Sequence, residues 1–187
     1  MLLFSSETLS DQEIVQEGVN VVLGCGDKKI ISSKSGQGDM HLIIGTFLHE
    51  TPHPVRQQVK LSLQKYLILR DNMNALSDSL KNMENNDSEV KCNIHLGGNF
   101  YASVTSPYKG VSIRRWFRKG SNPKLFPGFG TFLKQKEWED LLDVDKALDD
   151  LIPCLRQVVR CIDTHDGQLS AIGCSECNPN GLHYEWL

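Results

Sequence analysis

An internal repeat with a spacing near 72 residues constrains this chain more than any other feature, because self-similarity at a fixed interval means one supersecondary unit used twice. Val22-Leu23-Gly24-Cys25-Gly26 is matched 73 positions on by His95-Leu96-Gly97-Gly98-Asn99. Met40-His41-Leu42-Ile43-Ile44 is matched 71 on by Val111-Ser112-Ile113-Arg114-Arg115. Val59-Lys60-Leu61-Ser62-Leu63 with Tyr66 is matched 72 on by Thr131-Phe132-Leu133-Lys134-Gln135 with Trp138, and Ala75-Leu76 by Ala147-Leu148 at the same interval. Small insertions in a hairpin produce a drift of this kind. The chain therefore reads as a tandem duplication, with copies at residues 18–83 and 90–160. A polar linker at residues 84–89, an N-terminal arm at 1–17 and a cysteine-containing tail at 161–187 complete it.

Each copy has the composition of an antiparallel sheet followed by a helix. In the first, Lys28 to Ser33 and Met40 to Phe47 are expected strands around a Gly-rich turn, with a loop at Thr51-Pro52-His53-Pro54. Tyr66, Leu69, Met73, Leu76 and Leu80 recur at helical spacing and predict a helix from about Leu63 to Met83. In the second copy, Phe100 to Val104 and Val111 to Phe117 predict a hairpin through Ser-Pro-Tyr-Lys-Gly. A Pro127-Gly128 corner and a short strand, Thr131 to Leu133, come next. Trp138, Leu141, Leu142, Ala147, Leu148, Leu151, Ile152 and Leu155 form the second helical stripe, interrupted or kinked at Pro153 before Arg156 to Arg160 continue it. The fold class is α+β: two tandem copies of a small curved sheet plus helix. A helix with an apolar stripe longer than its own small sheet can cover needs a partner. Two such stripes in one chain can satisfy each other as an intramolecular pseudo-dimer, the rival being a domain-exchanged homodimer.

The chemistry lies in the alternation along the second copy. Side chains in a strand point to opposite faces in turn, so Ser112, Arg114, Trp116 and Arg118 share the face opposite Val111, Ile113 and Phe117. Arg115 falls on the apolar parity. Cations that follow phosphates, set beside a ring that stacks on an unpaired base, suit single-stranded nucleic acid. The plain alternative is a half-solvated sheet with an ordinary polar face. Phe117 also has the parity of a core residue.

Charge sharpens this reading. At 187 residues with a net charge of −3 and a pI near 6.1, the chain is unsuited to bulk electrostatic capture of duplex DNA, so binding must come from local asymmetry. Lys109, Arg114, Arg115, Arg118, Lys119 and Lys124 follow one another without an acid, whereas Glu137 to Asp150 carries seven acids against Lys146 alone. The first copy offers only Lys28, Lys29 and Lys34, with His41 beside them, as phosphate contacts.

The order of these pieces resembles the positive-cofactor-four family of single-stranded DNA-binding transcriptional coactivators. The likeness covers about Ile94 to Leu155. It rests on Leu96-Gly97, Tyr101 to Val104, Ser112-Ile113-Arg114, Pro127-Gly128, Leu133, Trp138 and Ala147. It implies homodimer-like packing of two antiparallel helices beneath a continuous surface for an extended strand. It also implies a phosphate contact at Arg114, a stacking aromatic at Phe117, aromatic and basic roles for Tyr108 and Lys109, and a backbone contact from Lys124. Gly98, Thr105 and Phe129 stand where the family often has basic residues, which implies weaker and less salt-sensitive binding. The expected partner is single-stranded DNA, with RNA as the variant, alongside transcription or replication proteins in the nucleus. The reading from a different class is a protein-interaction scaffold of the same fold without nucleic-acid affinity.

Little points to an enzyme. No Walker-type loop, no locally supported Ser-His-Asp arrangement and no metalloprotease helix is present. His49 and His53 flank Glu50 in a Pro-containing loop and read as solvated. Met1-Leu2-Leu3-Phe4 is too short for a signal-peptide core, no apolar run approaches a membrane span, and six cysteines are expected to be reduced in an intracellular compartment. No cofactor is expected. Cys174-Ser175-Glu176-Cys177 has the spacing of a zinc knuckle, with Cys154, Cys161, His165 or His183 as further ligands. Without a second Cys-x-x-Cys pair the spacing reads as incidental or as a redox pair. Tyr184, Trp186 and Leu187 in the tail can equally cover part of a sheet.

Overall fold

The computed structural model describes residues 18–47, 57–85, 89–118 and 124–179. The N-terminal arm, the His49/His53 loop, Lys119, residues 86–88 of the linker, and His183 with the tail aromatics lie outside these residues. The architecture is α+β: two four-stranded antiparallel sheets in sequential strand order, each leading into a helix. The first sheet comprises β1 (Asn20–Leu23), β2 (Lys28–Lys34), β3 (Met40–Thr46) and β4 (Gln58–Ser62), and the second β5 (Lys91–Gly97), β6 (Phe100–Thr105), β7 (Tyr108–Arg118) and β8 (Leu125–Lys134). Among the described residues no helix is long and apolar enough to cross a membrane.

The expected first helix is two: α1 (Leu63–Asp71) and α2 (Met73–Asn85). Ser62 caps α1 by accepting the Lys65 N–H. Asn72 breaks the pair because its side-chain amide donates to the Ile68 carbonyl at 2.7 Å, a local bond that competes with a continuous helix. The stripe Tyr66, Leu69, Met73, Leu76 and Leu80 is buried throughout. The second helix, α3 (Gln135–Leu151), stops before Pro153 because a residue preceding proline is driven out of the helical region; Ile152 sits at φ −130°, ψ 77°. A 3-10 turn, Pro153–Gln157, follows in place of the expected α-helical continuation. Trp138, Leu141, Leu148, Ile152 and Leu155 are buried, whereas Ala147 and Leu151 are exposed and Val144 packs inward instead.

Strand register also corrects the sequence alignment of the copies. Leu42 pairs with Leu61 as Val111 pairs with Leu133, so β3 matches β7 two positions away from the sequence match. Gly45, not Ile43, occupies the place of Arg114. The Pro127-Gly128 corner and short strand are instead one strand, β8, with an irregularity between Arg114 and Trp116 on its partner. Pro127 is tolerated there because β8 is an edge strand with a bulge. The β6–β7 turn is reduced to Ser106 and Pro107, so Tyr108, Lys109 and Gly110 belong to β7.

Apolar residues from both copies share one buried cluster, from Val19 and Leu23 to Ile152 and Leu155. α1 and α2 pack on β5, and α2 also on β6 and β7; α3 packs on β1 as well as on β7 and β8. Side chains join the helices of the two halves. Tyr66 Oη and Arg70 Nε donate to Asp145 Oδ1 at 2.8 and 2.7 Å, Arg70 Nη1 to Asp149 at 2.6 Å, and Trp138 Nε1 to Ser77 Oγ at 3.0 Å. Burial, and then the Asp145 carboxylate, raise the Tyr66 phenol well above its usual range, so it stays a neutral donor.

The start of each long helix meets the other copy's sheet. Asp140 accepts the Gly24 N–H at 2.6 Å. Lys28 Nζ donates to Glu137 Oε2 at 2.8 Å and to the Phe132 carbonyl at 2.6 Å. At the corresponding place in the second copy, Phe100 lies beneath the Lys65 ammonium, 5.5 Å from the ring centre. Both members of the Lys28–Glu137 pair are 13% exposed, so its loss is not screened away by water. Lys28→Ala is expected to cost about 1.5–3 kcal/mol, the range for a hydrogen bond to a charged group, read as a lower urea midpoint with unchanged slope.

Candidate nucleic-acid interface and a cysteine–histidine cluster

The face of the second sheet opposite the core is concave. Ser103, Thr105, Tyr108, Gly110, Ser112, Arg114, Trp116, Pro127 and Phe132 line a groove of about 420 Å3. A second groove of about 350 Å3 shares Ser103, Thr105 and Trp116 and is completed by Lys91, Asn93, Tyr101, Lys124 and Leu125. Trp116 is thus the aromatic ring common to both, half-buried and anchored by its backbone N–H, which donates to the Asn99 carbonyl at 2.7 Å. Arg114 Nε donates to Ser112 Oγ at 2.8 Å, which lays the side chain along the strand.

This surface brings Tyr108, Arg114, Trp116 and Lys124 together. Arg115, Arg118 and Lys109 are exposed on β7 and do not line the grooves. Lys119 lies outside the described residues. Phe117 is 43% exposed and sits against Phe126 with ring centres 6.4 Å apart, so its parity does not make it a core residue. Sequence reasoning missed Lys91, Asn93, Tyr101, Ser103 and Phe132. The signal was available in part: Lys91 and Asn93 alternate in β5, and Tyr101 and Ser103 in β6, as Ser112 and Arg114 do in β7.

Among the described residues the first sheet does not repeat this arrangement of cations and rings. Lys28 is held by Glu137 and Phe132 at the junction of the copies and is not available to a strand, because its stem lies on the core parity of β2. Lys29 and Lys34 are on opposite faces of that strand. Opposite the core stand Lys29, Ile31, Ser33, His41 and Ile43, of which Ser33 and Ile43 are buried. At the position of Arg114, Gly45 has φ +147°, and a Cβ there would run into the Gln57 carbonyl. Backbone geometry therefore excludes an arginine at that point.

The tail contains a second constellation. Cys161, His165, Cys174 and Cys177 are half-buried, and their ligand atoms all lie within 4.8 Å of one another. Cys161 Sγ is 3.6 Å from His165 Nε2 and 3.6 Å from Cys174 Sγ, and Cys177 Sγ is 3.3 Å from His165 Nε2. Backbone N–H groups of Cys177 and Glu176 lower the Cys174 thiol to about 6, while desolvation pushes Cys177 up to about 12 and raises Cys161. Cys154 is exposed and apart from this group. No protein-family model and no curated protein sequence matches the chain.

Proposed function

We propose that the chain binds single-stranded nucleic acid, DNA in preference to RNA, along the concave face of its second sheet. The observation that carries this reading is Trp116, which lines both grooves, beside Arg114 in the first of them, with Tyr108 and Phe132 as further rings and Lys91 and Lys124 in the second. Rings offer stacking surface to any base and cations follow the backbone, a combination that binds with little sequence preference. Such a protein holds unpaired strands open or protects them in transcription, replication or repair, inside the nucleus. The two copies act as an intramolecular pseudo-dimer of the positive-cofactor-four type. This is supported by their common core, the side-chain hydrogen bonds between helices and the reciprocal seating of each helix start on the other sheet.

Fluorescence anisotropy with a labelled oligothymidine tests the reading. Three groove cations, Lys91, Arg114 and Lys124, predict that log affinity falls with log salt at a slope of about −2, from roughly −0.7 per phosphate neutralised on a single strand. A folded protein that fails to bind at low salt overturns the proposal. Recovery of a stoichiometric protein partner unaffected by competing oligothymidine would then favour the scaffold reading.

A further inference from the structure

Residues 161–179 hold a defined shape without a core of their own. Their short helical turns, Cys161–Thr164 and α4 (Gln168–Ile172), bury no residue, and Ile162, Leu169 and Ile172 are exposed. A segment this small that cannot bury apolar surface needs another source of order, for which a metal is a common solution. Three half-buried cysteines and a half-buried histidine in it direct their ligand atoms at one another.

The geometry points to a structural zinc site formed by Cys161, His165, Cys174 and Cys177. Zinc bonds of about 2.3 Å to sulfur and 2.0–2.1 Å to nitrogen place tetrahedral ligands about 3.8 Å apart for two sulfurs and about 3.5 Å apart for sulfur and nitrogen. The observed separations are 3.6 Å for Cys161–Cys174, and 3.6 and 3.3 Å from His165 Nε2 to Cys161 and Cys177. Cys161 and His165 flank a single helical turn, and Cys174 and Cys177 lie in a tight turn that the Asn178 N–H closes by donating to the Cys174 carbonyl at 2.7 Å. Soft thiolates and an imidazole select zinc over magnesium or calcium. The sulfurs stand too close together to surround an iron–sulfur core. Four protein ligands leave no open position, so the ion is structural; it takes all three cysteines as thiolates, and any thiol proton still present leaves to solvent.

The ion has a definite task. Glu176 lies between two ligands, its carbonyl accepts the Gly98 N–H at 2.6 Å, and its carboxylate pairs with Lys65 of α1. Closing the metal loop therefore fixes a clamp that ties the tail to the β5–β6 turn and to α1. This site is independent of the nucleic-acid grooves.

Metal analysis of the full chain, purified under reducing conditions and desalted, is expected to give about one zinc per chain. Cobalt loading should give the visible absorption of a tetrahedral, thiolate-rich site. Cys161→Ser, Cys174→Ser, Cys177→Ser and His165→Asn should each lower zinc retention at least about ten-fold after dialysis against a weak chelator. Cys154→Ser and Cys92→Ser should leave it unchanged. In the unaltered protein, a strong chelator should speed amide exchange in residues 160–179 and at Gly98 while the sheet core stays protected. Reduced protein that holds no zinc and takes up no cobalt overturns the assignment. So does equal loss of zinc in Cys154→Ser, which would show a different ligand set.

Discussion

Trp138→Ala is expected to destabilise the whole chain by about 3–5 kcal/mol, the range for removing a fully enclosed large aromatic. At about 2 to 4 °C per kcal/mol for a protein of this size, Tm should fall by roughly 6 to 20 °C. Trp138 is 1% exposed and its indole N–H reaches Ser77 on the other copy's helix, so the cavity opens at the junction of the two halves. Both sheets should therefore melt together in a single transition. Ser77→Ala isolates the hydrogen bond: it leaves a buried indole N–H without its acceptor and should cost about 1–3 kcal/mol. For the proposed pairing of the two halves within one chain, Tm in both variants is independent of protein concentration, whereas a domain-exchanged dimer melts lower on dilution. Two separate transitions in Trp138→Ala would show that the copies fold independently and that the shared core contributes little.

Most of the helical and strand pattern was legible because burial imposes periodicity. The stripes from Tyr66 to Leu80 and from Trp138 to Leu148 are set by helical spacing, and Val111 and Ile113 by alternation. What misled was local. Ala147 and Leu151 are apolar but lie to one side of the stripe, and an exposed alanine or leucine leaves no mark in composition. The Asn72 break depends on one side-chain bond to Ile68, which propensity alone does not reveal. Matching the copies by residue type put Ile43 opposite Arg114, because a run of Leu42, Ile43 and Ile44 has no internal punctuation to fix its register.

The site was legible where it lies on one strand and obscure where it is assembled from several. Arg114 and Trp116 follow from parity on β7, but Lys91 and Tyr101 join them only through the pairing of β5, β6 and β7. The reverse error occurred at Lys28, where a basic residue in a strand reads as a phosphate contact until its partner, Glu137, is seen across the junction. Cys161 and His165 were among several candidates to join Cys174 and Cys177. Only folding of the tail separates them from Cys154.

Trp116→Ala is expected to lower affinity for oligothymidine roughly five-fold to over a hundred-fold, the equivalent of about 1–3 kcal/mol for a lost stacking surface. Trp116 is half-buried on the groove face and is not among the core residues, so Tm should change little. Arg114→Ala should weaken binding and reduce the salt slope by about 0.7, because one phosphate contact is removed. In the first copy, Lys29→Ala and Lys34→Ala should leave affinity nearly unchanged, since they lie on opposite faces of β2. Lys28→Ala should lower Tm but leave affinity intact in the fraction that remains folded. The asymmetry has a backbone cause: Gly45, at the place of Arg114, has no room for a side chain beside the Gln57 carbonyl. Titrating each variant at two salt concentrations, with its melting curve recorded alongside, separates lost contacts from lost structure. Equal losses of affinity at Lys29 or Lys34 and at Arg114 or Trp116, with every Tm unchanged, would show that a strand engages both sheets alike and that the one-sided interface is wrong.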